Sequence, residues 1–71
     1  MNGIKLGKYE HYKGKQYEAI GIAKHSESLE ELVVYKALYG NHDLWVRPSK
    51  MFLEEVEVDG KFIPRFKYIN Q

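Results

Sequence analysis

Turn residues cut this chain into pieces too short for long helices. Lys13-Gly14, Gly40-Asn41-His42-Asp43 and Asp59-Gly60 separate runs of alternating or apolar residues rich in Tyr, Val, Ile and Phe. Glycine supplies the positive φ that tight hairpin turns need, and Asp-Gly is a strong two-residue hairpin signal. β-Branched and aromatic residues between such turns favour extended chain. The chain therefore reads as a series of antiparallel hairpins.

Lys8 to Tyr12 alternates and predicts a first strand, returned by Lys13-Gly14 into a second over Gln16 to Lys24. On that second strand strict alternation puts Tyr17, Ala19, Gly21 and Ala23 on one face and Ile20 with Ile22 on the other. The small-residue face would let a neighbour strand or a ligand approach closely. His25 to Glu31 is polar, and Ser28 with Glu31 matches a capping box, so it reads as a loop with at most one helical turn. Leu32 to Tyr39 is apolar on both faces, as expected of a central or strongly bent strand. Leu44 to Arg47 follows as its hairpin partner. Pro48 breaks that strand and predicts a single 3₁₀ turn through Phe52. Leu53 to Val58 turns at Asp59-Gly60 into Lys61 to Ile69, where Pro64 cannot donate a ladder bond and marks a free edge or a bulge. The sum is all-β: a small barrel or roll of five to six short antiparallel strands with one short helical turn.

Seventy-one residues are expected to make one domain, residues 1–71. A chain this short buries only about 60% of its unfolded surface, so large side chains must fill the core. Ten aromatics, six of them Tyr, serve that purpose, and Tyr also builds recognition surfaces. The absence of cysteine favours a reducing cytosol. No apolar run reaches transmembrane length, and Met1 to Leu6 lacks the apolar stretch of a signal peptide, so a cytoplasmic protein with no membrane association is expected. Eleven basic residues against ten acidic give a net charge of +1, which argues against a dominant electrostatic grip on DNA.

Leu44-Trp45-Val46-Arg47-Pro48 carries the sharpest functional signal. Alternation puts the only tryptophan and an arginine on one strand face, and these two residue types are frequent binding anchors. If the Leu32–Tyr39 and Leu44–Arg47 strands pair as a hairpin, Tyr35 and Tyr39 could share that face. An arginine framed by aromatics can hold a carboxylate or phosphate bidentately or stack on a base. His11, Tyr12, His25 and Glu27 lie at or near strand ends and are expected at the rim. The competing reading puts Trp45 in the core and pairs Arg47 with a glutamate.

Other chemistry finds less support. His25-Ser26-Glu27 looks like a triad, but neighbours in extended chain point to different faces, and triads are assembled in space. His11, His25 and His42 have no metal-ligand spacing, and no calcium-loop pattern is present, so neither metal nor cofactor is expected. The six glycines are scattered rather than gathered into a phosphate loop.

Several stretches together resemble a known family. They are Gly7-Lys8-Tyr9 with His11-Tyr12-Lys13-Gly14, Ala23-Lys24-His25-Ser26-Glu27, Leu29-Glu30-Glu31-Leu32, and Val33-Val34-Tyr35 with Ala37-Leu38-Tyr39-Gly40. Leu44-Trp45-Val46-Arg47-Pro48 with Met51-Phe52, and Val58-Asp59-Gly60 with Pro64-Arg65-Phe66, complete the set. On these the chain is similar to a bacterial family catalogued as a domain of unknown function, number 1653. The resemblance implies a stand-alone SH3-like barrel or roll and implies no activity.

The leading expectation is a non-enzymatic binding module. Its polar-aromatic groove would take a small anionic, peptide or nucleotide-like ligand. Three alternatives stand beside it. Lys8, Lys13, Lys15, Lys24, Lys36 and Arg47, interleaved with Tyr, would suit single-stranded nucleic acid if basic and acidic residues segregate onto different faces. A small enzyme would need His11 or His25 within reach of a carboxylate such as Glu27. A homodimer would use the Trp45 face as its interface.

Overall fold

The computed structural model describes residues 4–70. In chain order the elements are β1 (Gly7–His11), β2 (Gln16–Lys24), β3 (Glu31–Ala37), β4 (Leu44–Pro48), α1 (Ser49–Phe52), β5 (Glu55–Val58), β6 (Lys61–Pro64) and β7 (Phe66–Asn70). Five strands form one antiparallel sheet in the order β4-β3-β2-β1-β7, and β5 with β6 forms a separate hairpin. The all-β class and the short helical turn are as expected. The sheet is open, however: β4 and β7 are its two edges and do not pair with each other.

The last predicted strand is two, because the chain changes sheets at Arg65. Pro64 ends β6 without an amide hydrogen to donate. Arg65 then donates its backbone N–H to the Glu54 carbonyl at 3.0 Å and accepts from the Tyr12 N–H at 3.0 Å. One residue thus holds the hairpin and the large sheet together.

One sheet face carries the core. Tyr9, Ala19, Val33, Tyr35 and Phe66 project from it, and Phe52 of α1 covers them. Pro48 ends β4 and turns the chain over this face. The Leu53 N–H reaches back to the Ser49 carbonyl at 3.0 Å, which makes an α turn rather than the 3₁₀ turn expected. The Phe52 ring stacks on Phe66, with centroids 4.2 Å apart, and meets Tyr9 and Tyr35 edge-on at 5.1 and 5.5 Å. The edge-on contacts have the favoured T-shaped aromatic geometry.

β2 departs from the alternation read in its sequence. Its β3 partners run from Ala19 opposite Tyr35 directly to Gly21 opposite Val34, leaving Ile20 as an extra residue in a bulge. Beyond the bulge the parity inverts. Ile22 stands opposite Val33 and takes the core side, while Gly21 and Ala23 go to the outer face with Val34 and Leu32. Tyr17, Ala19, Gly21 and Ala23 therefore do not share one face.

The 25–30 segment is a turn and not a helix. Leu29 has φ 63°, and the Ser28 hydroxyl accepts from the Glu30 N–H at 3.2 Å instead of completing a capping box. The β5–β6 hairpin turns at Asp59 (φ 52°) and Gly60 (φ 80°), the positive pair a type I′ turn requires. It packs mainly on itself, and Phe62 near its tip is 68% exposed.

Candidate functional site

The β3–β4 ladder sets Trp45 opposite Tyr35 and Arg47 opposite Val33. Directly opposed residues share a sheet face, so Trp45 and Arg47 stand on the core side. β4 is the edge, though, and Phe52 covers the middle of the sheet. Trp45 stays 51% exposed and Arg47 half-buried. Tyr17 enters from the start of β2, where it opposes Ala37, and Tyr39 follows the end of β3.

These five side chains, Tyr17, Tyr35, Tyr39, Trp45 and Arg47, line one groove of about 180 Å³. The hydroxyls of Tyr17 and Tyr39 are hydrogen-bonded at 2.6 Å. Arg47 Nε donates to the Tyr35 hydroxyl at 3.4 Å, and its guanidinium carbon lies 5.8 Å from the Phe66 ring centroid. Among the described residues Arg47 forms no ion pair; the one carboxylate pair is Arg65 with Glu54 at 3.1 Å. Lys15 Nζ sits 4.8 Å from the Tyr39 ring centroid and adds a second cation at that end.

His11 borders the groove. Its ring meets Phe66 and Tyr17 edge-on at 5.0 and 6.3 Å and packs against Tyr12 at 4.6 Å. The Lys13 backbone N–H donates to His11 Nδ1 at 3.2 Å, which puts the proton of the neutral ring on Nε2. Burial lowers the His11 pKa below the ordinary histidine value, and the positive charges of Arg47, Arg65 and Lys13 lower it further. The Tyr17 phenol is pushed up to about 12, first by burial and then by its bond to Tyr39. It stays protonated at neutral pH.

The structure brings together four residues read from sequence, Tyr35, Tyr39, Trp45 and Arg47, with His11 beside them and Tyr12 against His11. It leaves out His25 and Glu27. Tyr17 and His25 are eight residues apart along β2, roughly 25 Å in extended chain. His25 Nδ1 is engaged where it stands, accepting from the backbone N–H groups of Glu27 and Ser28 at 3.2 and 3.3 Å. The rim argument needed a closed barrel that gathers strand ends, and the sheet is open. Tyr17 was missed as a groove residue because its place depends on the β2–β3 register. Among the described residues no three His, Cys, Asp or Glu side chains converge.

Every groove residue falls within a segment that a family model recognises. The model, described as a protein of unknown function (DUF1653), matches residues 7–68. The chain belongs to the DUF1653 family. A crystal structure of a DUF1653 protein from Bordetella bronchiseptica is similar throughout, with 35% identity and a TM-score of 0.87 over 94% of this chain and 88% of that one. None of the curated proteins matches the chain. Membership in DUF1653 bears out the resemblance and attaches no activity to the groove. No helix among the described residues is long and apolar enough to cross a membrane.

Proposed function

We propose that this DUF1653 protein is a cytoplasmic, non-enzymatic binding module whose groove takes a small anion carried on a flat ring. The observation behind this reading is Arg47, which has aromatic neighbours and no carboxylate partner among the described residues. A guanidinium fork matches a carboxylate or phosphate bidentately, and the faces of Trp45 and the tyrosines suit a ring. The size of the groove narrows the ligand classes. About 180 Å³ holds one ring or one head group, well short of the ~300–1,000 Å³ of sites for drug-sized molecules. A nucleotide or peptide would put only its terminal group inside.

The alternatives fit less well. Basic residues do not segregate as a nucleic-acid track requires: Glu18 stands between Lys8 and Lys36 across three strands, and Lys24 opposes Glu31. Catalysis by a His/Glu pair lacks its geometry, since His25 is occupied by backbone N–H groups and His11 faces cations. A wider depression of about 600 Å³ includes Lys5, Glu18 and Ile20, but its lysine and glutamate offset each other.

Titration with phenyl phosphate, followed by Trp45 fluorescence, tests the reading, with phenol as control. Phenyl phosphate is expected to bind more tightly than phenol. Arg47→Gln is expected to weaken it about tenfold or more, since charge-assisted hydrogen bonds contribute roughly 1.5–3 kcal/mol. Equal binding of the two probes, or full affinity in a folded Arg47→Gln variant, would sink the proposal.

A further inference from the structure

β4 is an edge whose first three residues carry no charge and no proline. Natural sheet edges are usually blunted by a mid-strand lysine, proline or bulge, because free N–H and C=O groups invite another strand. β7, the other edge, carries Lys67 near its start and a bulge at Ile69, where its pairing with β1 shifts register. β4 runs Leu44-Trp45-Val46 with side chains 62, 51 and 59% exposed before Arg47 and Pro48. Its open side has no neighbour in the sheet.

Which backbone groups are free follows from one bond. The Ala37 N–H donates to the Asp43 carbonyl at 2.9 Å, so Ala37 and Asp43 are a hydrogen-bonded pair. Antiparallel pairs alternate between bonded and non-bonded. Tyr35 with Trp45 and Val33 with Arg47 are then bonded pairs, and Val34 with Val46 and Lys36 with Leu44 are not. The N–H and C=O of Leu44 and Val46 therefore point away from β3, into the open.

We propose that β4 pairs antiparallel with β4 of a second copy of this chain, about a two-fold axis at Val46. In this register Val46 exchanges both backbone bonds with Val46 of the second copy. The Leu44 N–H meets the carbonyl of Pro48, which has no amide hydrogen and needs no acceptor there. Trp45 lands opposite Arg47 of the second copy in a non-bonded pair, where side chains approach most closely. A guanidinium against an indole face is an attractive contact. On the outer face Val46 packs on Val46, and Leu44 on Pro48. The strand thus complements itself in backbone phase, in apolar surface and in its one charge. The outcome is a continuous ten-stranded sheet, five strands from each copy, with the two grooves adjoining at the axis. The pairing requires nothing bound, so it can be tested without a ligand, but it shares Trp45 and Arg47 with the anion reading.

Sedimentation velocity over a range of micromolar concentrations tests it, with two variants. Val46→Pro removes an N–H that the β3–β4 ladder does not use, and edge strands accept proline where the N–H faces outward. Val46→Lys keeps the backbone and sets two like charges opposite each other at the axis. The wild-type chain is expected to dimerise, and each folded variant to weaken the dimer at least tenfold. A wild-type chain that stays monomeric throughout overturns the proposal. So does a dimer that persists undiminished in Val46→Lys.

Discussion

His11, at the border of the groove, is a histidine whose protonation the fold opposes. Its folded pKa lies below the ordinary value near 6.5, through burial and then through Arg47, Arg65 and Lys13. The unfolded chain therefore binds a proton as pH falls through about 6.5, while the folded chain still resists it. His11 thus destabilises the fold progressively from about pH 6.5 down to its folded pKa, and has no such effect above that window. Urea melts at pH 7 and pH 5 are expected to show a smaller acid loss for His11→Gln than for the wild type. Equal losses would show that His11 does not carry the effect. At this scale the sequence was most readable where one ladder decided everything. Trp45 and Arg47 share a face by strand parity alone, and the register of one hairpin adds Tyr35. Tyr17 required a register between β2 and β3, and His25 was misplaced by supposing that strand ends converge.

The elements show a second limit of parity. β2 begins at Gln16 and ends at Lys24 where its turn and loop residues mark it, yet Ile20 inside it is invisible as a bulge. Val, Ile and Ala satisfy either face, so nothing in the local sequence reports the inverted register. The bulge makes its own test. Removing Ile20 leaves Ala19 opposite Tyr35 and Gly21 opposite Val34 as consecutive pairs, and β1 pairs no further along β2 than Ala19. Deletion of Ile20 is expected to give a folded protein with a modest shift in urea midpoint. Deletion of Ile22 would push Ala23 onto the core side and shift every later pair, and is expected to cost far more. A reversed order of the two midpoints would contradict the register. The split of the last strand was half legible, since Pro64 signals a break, but only the bonds of Arg65 reveal that the chain changes sheets there.

At the scale of the molecule, a sheet cored by aromatic rings is joined to an arm that packs mainly on itself. The joint is the backbone of Arg65 together with its ion pair to Glu54, whose side chain is 56% exposed. Exposed pairs contribute about 0–1 kcal/mol. Glu54→Ala is therefore expected to cost less than about 1 kcal/mol in urea melts. The β5–β6 amides are expected to exchange with deuterium well before those of β2 and β3, because local stability follows packing. Uniform protection across both sheets would argue instead for an arm that is clamped. The open sheet itself was not legible, because the same hairpins in the same order can close or stay flat-ended.

The arm also offers a handle. Its tip, Asp59-Gly60, belongs to a hairpin separate from the sheet that carries both the Trp45 groove and the β4 edge. A fluorophore, an affinity tag or a surface linker placed there would be carried on an element that lines no part of that groove and makes no ladder with β4. Immobilised molecules could then be offered ligands and further copies of the chain.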